Sequence, residues 1–370
     1  MLSKSTLSFS LFRLDHELPE DILARLADRA IPSLEKAGEE PKSGFAARHA
    51  QETEFTEATC CLADLIHFQF VTIQRKVPAA LLALECSKRE LAALKVAGEG
   101  SGYLSRKRRT EIKEEARKEL LGRASPSFSA TPVFIDTQAG LLYIGTASDK
   151  AADEVAVAIL EALQVPILPI TVETTVAEAL AATGEELKPL VLVEGASEDA
   201  ERWMGRDFLT WLWFMAEEVG GKFTVPEHGE FAVGIDGPLI FAAEGEGAHE
   251  AVVRKGVPTG APEANSALCA GKKLRSARLM IGQGRGDTAR VWHLTFDAAT
   301  CGFRAVKLPE CIEVGTSDFE ERADFLYILQ AALRALMARF AKEVSGHRRA
   351  TTEELMRSWA LGRGWQGGAQ

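Results

Sequence analysis

The residues with the clearest chemical potential in this 370-residue chain are the cations between positions 105 and 123. That segment holds eight basic and four acidic residues, and because the whole chain carries a net charge of −10, the remaining residues carry −14. A row of cations on one helical face can neutralise successive phosphates and release their counterions, which gives salt-dependent affinity without sequence preference. Four of these cations step by three, four and four residues, the spacing of one helical face: Arg106, Arg109, Lys113 and Arg117.

The simpler interpretation of the same segment is a solvated helix whose Glu and Lys/Arg side chains pair about one turn apart. Ile112, Ala116 and Leu120 would then lie on a second face and pack on the body of the protein. The two interpretations differ in whether the cations are free or neutralised by neighbouring glutamates.

A second basic group lies further along the chain, at residues 254–255 and 272–278, which are separated by a polar stretch. Strand alternation within residues 272–281 separates Lys273 and Arg275 from Lys272, so only part of this group can share a sheet face. The candidate DNA contacts from both groups are Arg106, Lys107, Arg108, Arg109, Lys113, Arg117, Arg123, Arg254, Lys255, Lys272, Lys273, Arg275 and Arg278.

The sequence lacks the common catalytic motifs: GxSxG, HExxH, a Walker loop and paired Cys/His spacing. Glu111 and Lys113 resemble a fragment of a nuclease ExK motif, but they fall in a charged helix without supporting carboxylates. We therefore expect no catalytic residue, no metal site and no cofactor. The six cysteines form no C-x-x-C pair, and no run of roughly 18 apolar residues occurs, which predicts a cytoplasmic protein with reduced thiols and no membrane association.

The patterns predict strands near residues 6–14 and 66–74, an aromatic helix over 198–219 and a long helix over 318–344. Residues 346–370 are basic and are expected to form a flexible tail. The apolar stripes of the two helices, together with one further aromatic residue, are the candidates for core or dimer surface: Phe128, Trp211, Leu329, Leu333, Leu336 and Phe340.

Several stretches, in matching order, resemble one known family. The chain resembles the RdgC family of bacterial recombination-associated proteins over residues 7–345, through collinearity rather than a single diagnostic motif. The stretches are Phe9-x-x-Phe12-Arg13-Leu14, the basic run from Gly102 to Glu111, Leu120-Leu121-Gly122-Arg123, Phe134-Ile135-Asp136-Thr137, Phe303-Arg304-Ala305-Val306-Lys307 and Asp324-Phe325-Leu326.

The resemblance implies an α+β fold with mixed or antiparallel sheets and long helices, assembled as a ring-shaped homodimer. It implies a nucleoid-associated protein that encircles double-stranded DNA without strong sequence preference and restrains RecA-type recombination, with the recombinase as a further candidate partner. A ring also reconciles the acidic composition with a basic inner wall. Within the RdgC-like region 1–345 the expected sub-regions are 1–97, 98–197, 198–316 and 317–345.

Two departures from the family pattern are visible. Ser125 stands at a family phenylalanine position, and a lysine-rich turn of the family is reduced here to Arg254-Lys255. Two other classes of function stay open: a metal-dependent nuclease acting on DNA ends, and a protein-interaction module that binds the recombinase directly.

Overall fold

The computed structural model describes residues 6–49, 52–62, 64–97, 103–193, 203–243, 250–284, 289–311 and 316–363. The chain divides into two compact units. The large unit comprises Met1–His16, Ala139–Val157 and Pro166–Gln370, and the small unit comprises Glu17–Gln138 and Ala158–Val165.

The helices and strands alternate irregularly along the chain, as expected for an α+β protein. In chain order they are β1 (Leu7–Leu14), α1 (Ile22–Asp28), β2 (Lys42–Ala46), α2 (Glu57–Cys60), β3 (Cys61–Leu62), β4 (Leu65–Arg75), α3 (Ala79–Ala97), α4 (Arg106–Arg123), β5 (Pro126–Asp136), β6 (Leu141–Ile144), α5 (Asp149–Leu163), β7 (Ile167–Pro169), α6 (Val172–Leu180), α7 (Trp203–Glu218), β8 (Lys222–Val225), β9 (Gly229–Ala242), β10 (Glu250–Val253), α8 (Pro262–Cys269), β11 (Lys273–Gln283), β12 (Arg290–Asp297), β13 (Gly302–Lys307), α9 (Thr316–Glu343) and α10 (Arg348–Gly362).

An antiparallel sheet forms the framework of the large unit. Its strand order is β10-β9-β11-β12-β13-β1-β6, with β8 also paired to β9 and β7 to β1. Strand β1 therefore lies inside the sheet, with Phe9 opposite Phe303 of β13 and Leu11 opposite Tyr143 of β6. The large antiparallel sheet and the several helices confirm the expected α+β class.

Helices α7 and α9 supply the aromatic core of the large unit. The Phe208 ring lies 5.6 Å from that of Phe340 and 6.0 Å from that of Phe296, in edge-to-face geometry. Gly205 permits the close approach of α7, because a Cβ there would lie 1.9 Å from the carbonyl oxygen of Ala298.

Because these helices lie in the core, most of the residues that were candidates for the dimer surface are not available for contact with a second copy. Phe128 alone among those candidates is exposed, at 53%. The other five are buried within the chain and so cannot be contact residues for a second copy: Trp211, Leu329, Leu333, Leu336 and Phe340.

The small unit contains a second antiparallel arrangement, in which β4 pairs with β2, β3 and β5. A cluster of buried apolar residues fills its core, formed by Ile31, Ala37, Ala46, Val71 and Ile73. Residues 35–58 have the polar, Gly- and Pro-containing composition of a loop, yet β2 forms and α2 begins within them. Strand β2 has the sequence Lys-Ser-Gly-Phe-Ala, in which polar and apolar residues do not alternate, so the pattern does not reveal it.

The C-terminal segment differs from the expected flexible tail. Residues 348–362 form α10, in which Met356, Trp359 and Ala360 are buried. Arg363 follows the helix, and its guanidinium lies 4.4 Å from the ring centre of Trp213 and 5.0 Å from that of Trp359. Apolar residues spaced about one turn apart thus pack this helix into the large unit.

All six cysteines have free thiols. No helix within the described part of the chain combines the length and the apolar character needed to cross a membrane.

Candidate nucleic-acid interface

Helix α4 of the small unit carries the first candidate surface. Ser105 caps it, since its side chain accepts a hydrogen bond from the Arg108 backbone N–H at 3.2 Å. Ile112 and Ala116 are buried, as the spacing predicted, and Leu120 is half-buried. These contacts fix one side of the helix and leave its cationic side facing outward.

All the expected cations of α4 are exposed, but they divide into two groups by their partners. Arg108 pairs with Glu111 at 3.0 Å, Arg117 pairs with Glu39, and Arg123 pairs with Glu119 at 2.9 Å. The second group forms no ion pair with a carboxylate among the described residues. We call this group the helix surface: Arg106, Lys107, Arg109, Lys113 and Lys118.

The first turn of α4 concentrates positive charge where a helix ordinarily avoids it. Four consecutive cations, Arg106 to Arg109, occupy this turn, and it contains no acidic residue. The N-terminus of a helix already carries a partial positive charge and free backbone N–H groups, so basic residues there are unfavourable for the helix itself. The same arrangement attracts anions strongly. The four cations therefore lower the stability of the helix and raise the positive electrostatic potential at its N-terminal end.

The dimensions of the cationic row suit a nucleic-acid strand. At about 1.5 Å per residue, Arg106 and Arg117 are separated by about 16 Å along the helix axis. One strand of duplex DNA presents a phosphate about every 3.4 Å along its axis, so this length matches about five phosphates. Because the strand winds around the duplex axis, a straight helix of this length can contact only a few of these phosphates.

The second expected basic group is largely taken up by the fold of the large unit. Lys272 is buried. Lys273 forms an ion pair with Asp207, whose carboxylate is fully buried and also accepts a hydrogen bond from the Leu190 N–H at 2.6 Å. Arg275 pairs with Glu250. The proposed phosphate contact is corrected for Lys272 and Lys273, because burial and a buried counter-ion keep them from phosphate.

Burial also changes the pKa of the Asp207 carboxyl. Loss of solvation raises its pKa above the ordinary value, against the opposing effect of the adjacent Lys273 ammonium. The lysine is therefore held as a counter-ion for a buried carboxylate, which is a structural role.

The remaining cations of the second group are exposed. Arg254 and Lys255 follow β10 and form no ion pair with a described carboxylate. The register between β9 and β11 shifts on both sides of Ser276, and this shift changes which residues of β11 face the core. After it, Leu279 is buried and Arg278 is exposed.

Arg278 belongs to a row of residues across the exposed face of the large unit's sheet. It lies opposite Thr295 of β12, which in turn lies opposite Arg304 of β13. Lys307 of β13 lies opposite His293 and is exposed. We call Arg278, Arg304 and Lys307 the sheet surface. Arg304 pairs with the buried Asp297 at 3.3 Å, whereas Arg278 and Lys307 form no ion pair with a described carboxylate.

Sequence reasoning missed three exposed cations of these surfaces. Lys118 lies on α4 but off the row of four, and Arg304 and Lys307 lie on a strand whose basic character entered only through the resemblance. The exposed Arg304 and Lys307 flank the buried Val306, and the positive φ of Ala305 interrupts the simple alternation that would have identified them.

The structure accounts for the residues that resembled a nuclease fragment. Glu111 accepts a hydrogen bond from Arg108 at 3.0 Å, and Lys113 lies on the helix surface. In the described ranges, no three His, Cys, Asp or Glu side chains form a group that could hold a metal ion.

Comparison with known proteins adds one finding. Residues 7–183 match a family model described as "Putative exonuclease, RdgC", a range that includes all of α4 and ends before the strands of the sheet surface. No curated protein matches the chain. Residues 7–183, which include β1 and α4, are therefore similar to the RdgC family.

Proposed function

We propose that this protein binds double-stranded DNA without sequence preference and, as a dimeric ring around the duplex, restrains RecA-type recombination. The observation that carries the proposal is the first turn of α4. Its cations are exposed, they reinforce the positive helix end, and Arg106, Lys107 and Arg109 have no carboxylate partner among the described residues.

The distribution of charge supports binding to the DNA backbone. The chain is acidic overall, at −10, yet the helix surface gathers five cations on a single helix. Contacts between such cations and phosphates position a duplex without reading its bases. The binding would therefore depend steeply on salt and weakly on sequence.

The dimeric ring and the effect on recombination follow from the family resemblance. A closed ring holds a duplex topologically, so that modest phosphate contacts suffice to retain it. In that arrangement the sheet surface is a second candidate contact, with Arg278 and Lys307 as its unpaired cations.

Salt-dependent binding to a labelled duplex tests the DNA contact. Reversing Arg106, Arg109 and Lys113 to Glu should lower affinity and reduce the slope of log K against log salt by about 2.7, since each neutralised phosphate contributes about 0.9. The matched comparison uses two double variants on the same helix. Arg106→Gln with Arg109→Gln removes free cations, whereas Arg108→Gln with Arg123→Gln removes the same charge from cations already paired with glutamates.

We expect the first double variant to lower the slope by about two and the second to change it much less. Equal slopes for both double variants, or an unchanged slope in the triple reversal, would show that the helix surface does not face DNA.

A nuclease acting on DNA ends is the second candidate, and the description of the matched family favours it. Incubation of the protein with end-labelled linear duplex and Mg²⁺ or Mn²⁺ separates the two candidates. Degradation that a chelator abolishes, and that co-purifies with the protein through a salt gradient, would replace the binding-only proposal with an enzyme.

Direct contact with a recombinase is tested without DNA. If the purified protein retains a RecA-type recombinase equally well after nuclease treatment and after the triple reversal on α4, the effect on recombination acts through protein contact and not through the duplex.

A further inference from the structure

The large unit encloses an apolar cavity of about 190 Å³ that the proposed function does not use. It lies between strands β1, β7 and β13 on one side and helices α6 and α9 on the other. An apolar cavity of about 150 Å³ stays dry and accepts benzene, which makes this one large enough for an organic ligand.

The buried part of the cavity is mostly apolar, with Thr175 as a buried polar residue of the lining. Phe9, Phe303, Leu329 and Met337 line it, and each is less than 4% exposed. Cys301 also lines it, and burial raises the pKa of this thiol, so that it stays uncharged. No charged group therefore lies at the buried end, and a hydrocarbon chain or ring is the chemistry that fits there.

The charged residues of the lining are at the exposed end. Arg13, Glu178 and Arg334 have side chains that are 41%, 36% and 63% exposed. Both arginines donate to the same carboxylate: Arg13 to Oε1 of Glu178, and Arg334 to Oε2 at 3.2 Å. Two guanidinium groups share one carboxylate, so the opening has a net charge of +1 and spare N–H donors for a second carboxylate.

We propose that this cavity binds a small carboxylate with an apolar tail, with the tail among Phe9, Phe303 and Met337 and the carboxylate at Arg13 and Arg334. By comparison with the cavity that holds benzene, the tail has about six to eight carbons. This site is separate from the helix surface and from the sheet surface, and the inference does not depend on DNA binding.

A chain-length series tests the site on the full-length protein. Isothermal titration with butyrate, hexanoate, octanoate and decanoate should give one site, with affinity rising about fourfold per methylene until the cavity is full. Beyond that length the affinity should level off. Octanol, which has the same chain but no charge, should bind at least tenfold more weakly than octanoate.

Three variants locate the site. Leu333→Trp should fill the cavity and abolish octanoate binding, and Arg334→Gln should weaken binding about tenfold. Lys342→Gln, which removes an exposed cation from the same helix outside the cavity, should have no effect. Arg334 is exposed, so its variant reports on the site even if Leu333→Trp does not fold.

Three results would overturn the proposal. They are the absence of saturable octanoate binding, equal binding by octanol and octanoate, and equal losses of affinity in Arg334→Gln and Lys342→Gln. An affinity that keeps rising through decanoate without a plateau would indicate general hydrophobic adsorption and would also contradict the site.

Discussion

Two lysines adjacent in sequence show why the charge of a residue does not reveal its role. Lys272 and Lys273 belong to a basic run, yet Lys272 is buried and Lys273 neutralises Asp207. Asp207 lies on α7, 66 residues away in sequence, and no local pattern connects the two. Long-range pairing of this kind is invisible to spacing rules, because those rules describe neighbours within a single element.

We predict that Lys273→Met lowers the free energy of unfolding by about 3–5 kcal/mol, because it leaves a buried carboxylate without its counter-ion. The double variant with Asp207→Asn should lose less, since the uncompensated charge is gone while an oxygen remains for the Leu190 N–H. Urea unfolding of the single and double variants measures the difference. At a temperature where Lys273→Met is folded, its slope of log K against log salt for DNA should equal that of the wild type.

A double variant as unstable as Lys273→Met alone would contradict the counter-ion role. A reduced salt slope in Lys273→Met would return this residue to the DNA-binding surface.

His67 of the small unit is the second residue with a defined electrostatic effect. It is buried, it stacks on Phe134 with ring centres 4.2 Å apart, and neither ring nitrogen has a hydrogen-bond partner among the residues that the structure describes. Burial, aided by the nearby Arg48 and His49, lowers its pKa from 6.5 to about 3. The folded protein therefore keeps this imidazole neutral in mildly acidic solution.

The sign of the pH effect follows from this difference. Between pH 6.5 and pH 3 the unfolded chain takes up a proton at His67 while the folded chain does not, so acid favours unfolding. We expect about 2 kcal/mol of stability to be lost through this residue between pH 7 and pH 5. His67→Phe should reduce the loss by that amount, as measured by urea unfolding at the two pH values. If His67→Phe and wild type lose equal stability, the imidazole is not kept neutral by burial.

At the scale of elements, helix α4 combines poor helix electrostatics with an exposed cationic row. This combination separates a functional helix from a merely solvated one, because a helix under selection for stability alone would place acidic residues in its first turn. The ion pairs of Arg108 and Arg123 with glutamates about one turn away are of the kind that the simpler interpretation expected, whereas the Arg117–Glu39 pair and the helix surface are not.

We predict that Arg106→Glu stabilises the protein by about 0.5–1 kcal/mol at low salt, because it replaces an unfavourable charge at the positive helix end with a favourable one. The same change should weaken duplex binding severalfold. Urea unfolding and fluorescence anisotropy of a labelled duplex measure the two effects. Arg123→Glu at the other end of the helix is the control, and we expect it to destabilise the protein slightly with little effect on DNA.

Stabilisation without weaker DNA binding in Arg106→Glu would support the solvated-helix interpretation.

The elements that sequence reasoning identified are those in which local pattern and tertiary role agree. Alternation predicted β1 and β4, and spacing predicted α4 and α9 with small shifts at their ends. Spacing does not reveal helix α6, because three of its first four residues are valine or threonine, which favour strands. A reciprocal pair of hydrogen bonds between Thr171 and Thr174 starts the helix. The apolar stripe of α9 was recognised, but whether it packs within the chain or against a partner depends on contacts with α7.

The candidate site was predictable to the same degree. The exposure of the α4 cations follows from their spacing opposite Ile112 and Ala116. The ion pairs of Arg108 and Arg123 are local to the helix, whereas the pairing of Arg117 depends on Glu39, which lies far away in the chain. The sheet surface depends on the pairing of β11, β12 and β13, and an irregular register hides it from simple alternation.

At the scale of the whole molecule, the proposed ring has a consequence that a simple DNA-binding surface does not. A closed ring leaves a linear duplex by sliding off its ends, but it cannot leave a circle without opening. We predict a homodimer by light scattering, and retention on nicked circular DNA after a salt challenge that releases it from linear DNA of equal length. Blocking both ends of the linear duplex with bound streptavidin should restore retention.

A monomer, or equal release from circular, blocked and open linear DNA, would exclude encirclement while leaving phosphate binding intact.

The central position of β1 in the large sheet bears on how the chain can be divided. Its first residues pair with β13, so that residues near the two ends of the sequence complete each other, with Leu7 opposite Val306. A truncated protein limited to residues 7–183 spans the family match but lacks β13. One edge of β1 would then be unpaired, and the Phe9 ring would lose its contact with Phe303. Such a fragment is expected to self-associate through the bare strand, and expression trials should therefore retain the chain at least through β13.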